Sequence, residues 1–353
     1  MYLERLKNLK AYKTETTPCK VKLSSNESPF DLSEKLKERI KEEIVKINFQ
    51  RYPDPHAKEL KEALARFVSE EENLEVSPEN LVLGNGSDEI IHLLITVIGD
   101  LKNPVMYPVP SFPMYQVSSD VVGRPKAEFL LDDNFQLTEE GIQEALKQNP
   151  DIAFFASPNN PTGNSFDSKL IMKVIEKGIF TVIDEAYIHF SDKENFLKVA
   201  LEYDNVVVLR TMSKVGLASI RLGYMIAKKD VAREIDKGRL PFNITYPTQV
   251  IGKIVLTEGK EELKSQIKAV KEERKRVMEE ISKIPSVTVY PSDANFFLMK
   301  TPDGNKTHQE LIKRGVLTRN MSHLPKMENC IRVSIGRKEE NDEFIKAMRE
   351  IFT

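Results

Sequence analysis

Asn80-Leu81-Val82-Leu83 runs straight into Gly84-Asn85-Gly86-Ser87-Asp88, and a helical pattern follows from about 88 to 98. An apolar run, a glycine turn and a helix start make one strand–loop–helix unit. The plan recurs. Val105-Met106-Tyr107 ends at Pro108-Val109-Pro110-Ser111-Phe112, and Ile152-Ala153-Phe154-Phe155 ends at Ser157-Pro158-Asn159-Asn160-Pro161-Thr162-Gly163. Phe180-Thr181-Val182-Ile183 ends at Asp184-Glu185-Ala186-Tyr187, and Val206-Val207-Val208-Leu209 at Arg210-Thr211-Met212-Ser213-Lys214. Runs this uniformly apolar suit strands covered on both faces. The expected fold is α/β, a mostly parallel sheet sandwiched by helices. In such sheets ligands gather at the carboxyl ends of the strands. All five loops follow strands, so all five are expected to meet at one cleft.

Outward from these units the pattern changes. Residues 1–25 read as irregular, Asn26-Glu27-Ser28-Pro29 as a turn, and 33–47 and 56–70 as helices. Between the helices, Arg51-Tyr52-Pro53-Asp54-Pro55 is a stiff loop, because two prolines fix φ. From about 247 come two helices (247–258 and 261–283), short strands at 287–290, 296–299 and 331–335, and a last helix at 340–352. That sequence of elements predicts a smaller α+β domain. The expected division is an N-terminal segment, 1–28, packing on the small domain, a large domain over 29–245 and the small domain over 246–353.

Composition narrows the function. The 353 residues carry a net charge of -2, which gives no basic excess for nucleic acid. No apolar run approaches the roughly 20 residues that span a bilayer. Met1-Tyr2-Leu3-Glu4-Arg5 lacks the basic-then-apolar pattern of a signal peptide, and Cys19 and Cys330 form no C-x-x-C. A cytoplasmic protein without a membrane or nucleic-acid partner is expected. The five histidines (His56, His92, His189, His308, His323) show no metal-ligand spacing, so no metal is expected.

Several residues carry chemistry in this pattern. Lys214, delivered to the end of a buried strand among hydroxyls, suits a Schiff-base lysine beside a phosphate; a solvated lysine is the plain alternative. The Gly84–Gly86 turn lets backbone approach a phosphate at a helix start, or is a tight turn capped by Ser87 or Asp88. Glu89 stands where a dinucleotide fingerprint has its third glycine, which weakens a nicotinamide-dependent oxidoreductase. Asp184 closes an apolar strand, so it calls for a cationic partner such as a protonated pyridine, or for backbone donors. Tyr187 is placed to reach the same ring, or packs in the core. Asn160 sits in a turn shaped by Pro161 and Gly163, and Phe112 either stacks on a planar ring or belongs to the core. Arg221 suits a phosphate dianion. Arg332, mid-strand in an alternating run, binds either an anionic substrate group or an internal carboxylate.

In this order the motifs resemble the fold-type I pyridoxal-phosphate aminotransferases, and within them the histidinol-phosphate branch. The resemblance spans nearly the whole chain. It is carried by Leu23-Ser24-Ser25-Asn26-Glu27-Ser28-Pro29, Arg51-Tyr52-Pro53-Asp54, the Gly84–Glu89 turn, Ser157–Gly163, Asp184–Tyr187 and Thr211–Lys214. Gly216–Tyr224 and Arg332-Val333-Ser334-Ile335-Gly336 complete the set. Many relatives have two residues between the lysine and the glycine-leucine pair; here only Val215 intervenes.

The resemblance implies pyridoxal 5'-phosphate as cofactor and a sheet of the seven-stranded type. It implies a two-stage exchange of an amino group between L-histidinol phosphate and 2-oxoglutarate, giving imidazole-acetol phosphate and L-glutamate for histidine biosynthesis. Lys214 would bind the cofactor aldehyde and then act as base and acid. Asp184 would pair with the pyridine nitrogen, Asn160 and Tyr187 with the ring's phenolic oxygen, and Phe112 would stack on the ring. Gly86, Ser87, Asp88, Thr211, Ser213 and Arg221 would hold the cofactor phosphate. Tyr52 would reach that phosphate from a partner subunit, which makes the protein a homodimer. Arg332 would hold the carboxylate of the amino-acid partner, Arg319 the substrate phosphate, and Asn26 would lie near the substrate. An aromatic-amino-acid aminotransferase or a phosphothreonine decarboxylase shares much of this plan.

Overall fold

The computed structural model describes Lys7, Leu9 and residues 17–352. The part of the irregular N-terminal stretch before residue 17, those two apart, lies outside the described residues. Strand β1 (Val21–Lys22) opens the described chain. The large sheet is built from β2 (Leu81–Asn85), β3 (Val105–Val109), β4 (Lys126–Leu130), β5 (Ile152–Ala156), β6 (Phe180–Asp184), β7 (Val206–Thr211) and β8 (Leu222–Ile226). Its order is β2-β8-β7-β6-β5-β3-β4. Pairs β3/β4, β3/β5, β5/β6 and β6/β7 are parallel, and β8 runs antiparallel to β7 and β2. The expected mostly parallel sheet is therefore present. Strands β5 and β7 are buried along their whole length, which is why Ile152–Ala156 and Val206–Leu209 are continuous apolar runs.

Two strands escape the apolar-run rule. Strand β4 sits at the sheet edge and alternates, with Glu128 and Leu130 exposed, so its sequence reads as mixed. Strand β8 contains Gly223, where an added Cβ would stand 2.4 Å from the Gly86 carbonyl carbon and 2.5 Å from Ser87 N. Only glycine allows that closeness of β8 to the 84–88 turn. Strand β3 also runs further than its apolar residues suggest, through Pro108 to Val109. Its pairing with β5 stops at Met106–Ala153, so the missing N–H of Pro108 interrupts no bond on that side.

The C-terminal sheet joins β9 (Thr288–Val289), β10 (Phe296–Lys300), β12 (Arg319–Asn320) and β13 (Cys330–Ser334), all antiparallel, in the order β12-β13-β10-β9. Strand β1 pairs in parallel with β11 (Val316–Leu317), with Val21 opposite Val316. Ser334 N also donates to Leu23 O at 2.9 Å, so residues 21–23 are stitched to this C-terminal part. Helix Tyr246–Glu258 packs elsewhere. It lies against Glu34–Ile44 and Lys58–Glu72, and a Cβ on Gly252 would press on Leu60 at 2.8 Å. Leu60, Val255 and Leu256 belong to one apolar cluster there.

Candidate active site

The loops leaving β2, β3, β5, β6 and β7 do meet. They line one small, partly enclosed cavity. Ser87, Asp88, Phe112, Asn160, Asp184, Tyr187, Thr211, Ser213, Lys214 and Arg221 all line it. Residues spread over more than a hundred positions converge because parallel strands deliver every carboxyl end to the same edge.

On the β2 side, the helix Ser87–Val97 begins at Gly86, with φ 80° and ψ 166° and no side-chain cap. Neither Ser87 nor Asp88 is therefore the cap, and the first N–H groups of the helix remain available to an anion. Glu89 Oε2 accepts from Asn85 N at 2.6 Å and from Asn243 Nδ2 at 2.8 Å, so it pins the turn. Arg221 arrives through a one-turn helix, Ala218–Ile220, in the left-handed region at φ 52°. Its carbonyl accepts from Gly86 N at 2.6 Å. The shortened spacing after Lys214 thus still brings Arg221 to the turn. Its Nη2 donates to Asp88 Oδ2 at 3.1 Å, with the two side chains 45% and 40% exposed. A pair that exposed contributes about 0–1 kcal/mol, so it yields readily to a bound dianion. Thr211 and Ser213 hydroxyls stand 2.9 Å apart on the same wall.

Asp184 is buried at the end of β6. Its Oδ2 accepts the Tyr115 hydroxyl at 2.8 Å and its Oδ1 accepts Ala186 N at 3.1 Å. Burial pushes its carboxyl up to about 6, against the pull of those two donors and of Lys214. A carboxylate held by two neutral donors beside a cavity is a receptor for a cation placed in that cavity. Lys214 Nζ lies 5.7 Å from the centroid of the Tyr187 ring.

The C-terminal sheet closes the other side. Tyr187 meets Phe296 of β10 edge-on at 5.0 Å, and the Arg332 guanidinium lies 5.4 Å over that ring. Arg332 Nη1 donates to Asn160 Oδ1 and Nη2 to Ser24 O, both at 2.6 Å. Asn26, with φ 56°, donates from Nδ2 to the Tyr187 hydroxyl at 3.2 Å and accepts from Ser334 Oγ at 2.9 Å. Arg319 stands directly opposite Arg332 across β12 and β13. Like charges at such a cross-strand position destabilise a sheet unless an anion joins them.

Tyr52 is placed differently. It is 80% exposed and stacks on Phe242 at 4.5 Å, outside the cavity of its own chain. Three residues given no role by the sequence reading contact the site residues. Tyr115 follows Phe112 by three positions on the adjoining helix. Ser334 shares its strand face with Arg332, two residues away, and Phe296 is its register partner. The strand periodicity was a usable signal for Ser334; the role of Tyr115 is visible only in three dimensions.

A doubly wound sheet with a lysine, a buried acid and a phosphate-type turn at one edge defines a class, and comparison with known proteins agrees. The chain belongs to the class I and II aminotransferase family, whose model matches residues 18–348. It is 50% identical over 352 residues to the histidinol-phosphate aminotransferase of Aquifex aeolicus, covering 99% of this chain and 98% of that one. Among solved structures, histidinol-phosphate aminotransferase from Clostridium acetobutylicum superposes with a TM-score of 0.83 at 26% identity, covering 94% and 98% of the two chains. The same enzyme from Sinorhizobium meliloti, solved with pyridoxal-5'-phosphate, shares the fold with a TM-score of 0.83 at 21% identity, covering 99% and 98%.

Proposed function

We propose that the protein is a pyridoxal-phosphate-dependent aminotransferase acting between L-histidinol phosphate and 2-oxoglutarate, in histidine biosynthesis. One observation carries this: Lys214 shares a single cavity with a buried Asp184, an uncapped helix start and, through Asn160, the Arg332–Arg319 pair. Sequence identity of 50% to an enzyme of that name supports the same choice.

The residues present fit the cofactor. Gly86 and Gly223 let Arg221 and strand β8 close on the turn where a Cβ would collide, the helix start and Arg221 offer donors for a phosphate, and Asp184 suits a protonated ring nitrogen. When bound, pyridoxal phosphate supplies an aldehyde to receive the amino group and a cationic ring to accept electron density. The chain supplies the rest. Lys214 would hold that aldehyde and would move the proton taken from the substrate Cα. Asp184 would keep the ring nitrogen protonated, Tyr187 and Asn160 would donate toward the phenolic oxygen, and Phe112 would cover the ring. L-Histidinol phosphate carries its phosphate ester where glutamate carries its α-carboxylate. The neighbouring Arg332 and Arg319 can therefore serve both partners, Arg332 holding the carboxylate and Arg319 adding its charge for the phosphate dianion.

The direct test is a turnover panel of L-histidinol phosphate, phenylalanine and phosphothreonine. Absence of turnover with the first, together with turnover of either other amine, removes the assignment. Arg319→Met is expected to raise KM for L-histidinol phosphate by roughly 10- to 100-fold, the loss of a hydrogen bond to a charged group. Steady-state kinetics with both amino donors checks this, and an equal loss with glutamate would place the phosphate elsewhere. Gly86→Ala forces an L-residue to φ 80° and sets its Cβ 2.4 Å from Arg221 Nη2. The expected cost is about 1–3 kcal/mol of stability, with weaker cofactor uptake, read by thermal melting and by titration of the apo protein.

The homodimer and the cytoplasmic setting are part of the same proposal. Tyr52 is exposed and stacked on Phe242, and Phe49 (77% exposed), Val45, Leu240 and Tyr246 are further exposed apolar residues. A second copy covering Tyr52 would bring it to the partner's phosphate site. Sedimentation at twice the chain mass supports this, and a monomer that retains full activity removes it. No described helix is long and apolar enough to cross a membrane.

A further inference from the structure

Tyr115 is a buried titratable group to which no motif gives a role. It is carried by helix Met114–Val122 and is fully buried. Its hydroxyl donates to Asp184 Oδ2 at 2.8 Å. Its ring stacks on Phe154 of β5 at 4.8 Å, meets Phe112 edge-on at 5.8 Å and lies 5.9 Å from the Tyr107 ring. One side chain therefore touches both the acid of the cavity and the aromatic residue that lines it.

The surroundings of Asp184 leave this contact decisive. Asp88, on helix Ser87–Val97, raises the Asp184 pKa through its charge, and Lys214, after β7, lowers it. The remaining close donor is Ala186 N. Against burial, the largest influence, the Tyr115 hydrogen bond is the strongest force keeping the carboxyl ionised. Burial and the Asp184 charge hold the phenol far above its ordinary pKa, with Tyr187 and Asp88 adding to the effect. Tyr115 is thus a permanent donor rather than a second acid. A phenylalanine there would keep the ring packing and remove only the donor.

We propose that Tyr115 is the positioning residue for Asp184: its hydroxyl keeps the carboxylate ionised and fixed beside the cavity, and its ring seats Phe112. This rests on the pyridoxal-phosphate proposal, in which Asp184 meets the ring nitrogen. The sign follows from the donor's preference for the charged acid. Without the hydroxyl the Asp184 pKa rises, and the protein loses its hold on a protonated pyridine at a higher pH.

The test uses the full chain as wild type, Tyr115→Phe and Asp184→Asn. Infrared titration of the apo protein follows the carboxylic C=O stretch that Asp184→Asn removes. The wild-type midpoint is expected near the value of about 6 given by burial and its neighbours. In Tyr115→Phe it should rise by about one pH unit, tenfold in the neutral-to-ionised ratio. The acid limb of pyridoxal-phosphate affinity should move upward with it. Incorporating 3-fluorotyrosine at position 115, a stronger donor of nearly the same shape, should move the midpoint down even if the phenylalanine variant folds poorly. Midpoints that coincide in wild type and the fluorinated protein, or in a folded Tyr115→Phe, overturn the proposal. Wild type that takes up no cofactor at any pH sinks the cofactor assignment instead, while the midpoints still decide the part played by Tyr115.

Discussion

Lys214→Ala is expected to lower turnover of L-histidinol phosphate by on the order of 10⁴-fold, the scale lost with a group that is both nucleophile and proton carrier. Other lysines cannot replace it, because position matters more than chemistry. Lys214 ends a one-turn helix, Met212–Lys214, capped by Thr211 Oγ1, which accepts from Ser213 N, and it faces the Tyr187 ring. The fold should survive. The lysine is only half-buried and makes no ion pair among the described residues, so the melting temperature is expected to stay near that of wild type. Borohydride treatment of the cofactor-loaded wild type should leave a pyridoxyl mass on the peptide around 214, and the variant should leave none. Turnover in the variant within tenfold of wild type would remove Lys214 from the chemistry. Cofactor binding that survives in the variant, with chemistry lost, would separate the phosphate and Asp184 contacts from the role of the amine.

How far such roles can be seen in sequence depends on whether a residue acts where its own strand puts it or through a partner far along the chain. Lys214, Asp184 and Asn160 end buried strands or open the loops beyond them. Their placement follows from burial of β5, β6 and β7, which sequence displays as unbroken apolar runs. Strand β4 hides because an edge strand alternates. Strands β1 and β11 hide because each has two residues and gains its identity from the other, across nearly the whole chain. The Asn26–Tyr187 and Arg332–Asn160 contacts are likewise invisible beforehand, being set by the β10/β13 register and the turn at φ 56°. Tyr52 was legible as an exposed loop residue, but its contribution to a partner's site came from family resemblance alone.

Sequence shows least of what lies behind the site, and there the second large effect is expected. Arg210 has no exposed surface, although it sits one residue before Thr211 in the cavity wall. Its Nε and Nη2 stand 2.9 and 2.8 Å from Glu185 Oε2, and Nη1 stands 2.7 Å from Glu72 Oε1. The two terminal nitrogens are close enough for ion pairing but lie off ideal hydrogen-bond angles. Glu185 in turn accepts Phe196 N at 2.7 Å, and Glu72 accepts Asn195 Nδ2 at 2.6 Å. Burial raises the pKa of Glu185, and Arg210 is what opposes it. Arg210→Met leaves that acid buried without its counter-charge, so the expected loss is about 3–5 kcal/mol. Combining Arg210→Met with Glu185→Leu should recover most of the loss, because an apolar pair of similar volume needs no counter-charge. The pH dependence has a definite sign. In Arg210→Met the folded state binds a proton on Glu185 that the unfolded state releases more easily, so the deficit should shrink in mild acid and grow as pH rises. Urea unfolding of the four proteins, at two pH values, checks both points. A double variant as unstable as the sum of its singles would mean that packing around Arg210, rather than its charge, holds β6 and β7 together behind Asp184 and Thr211.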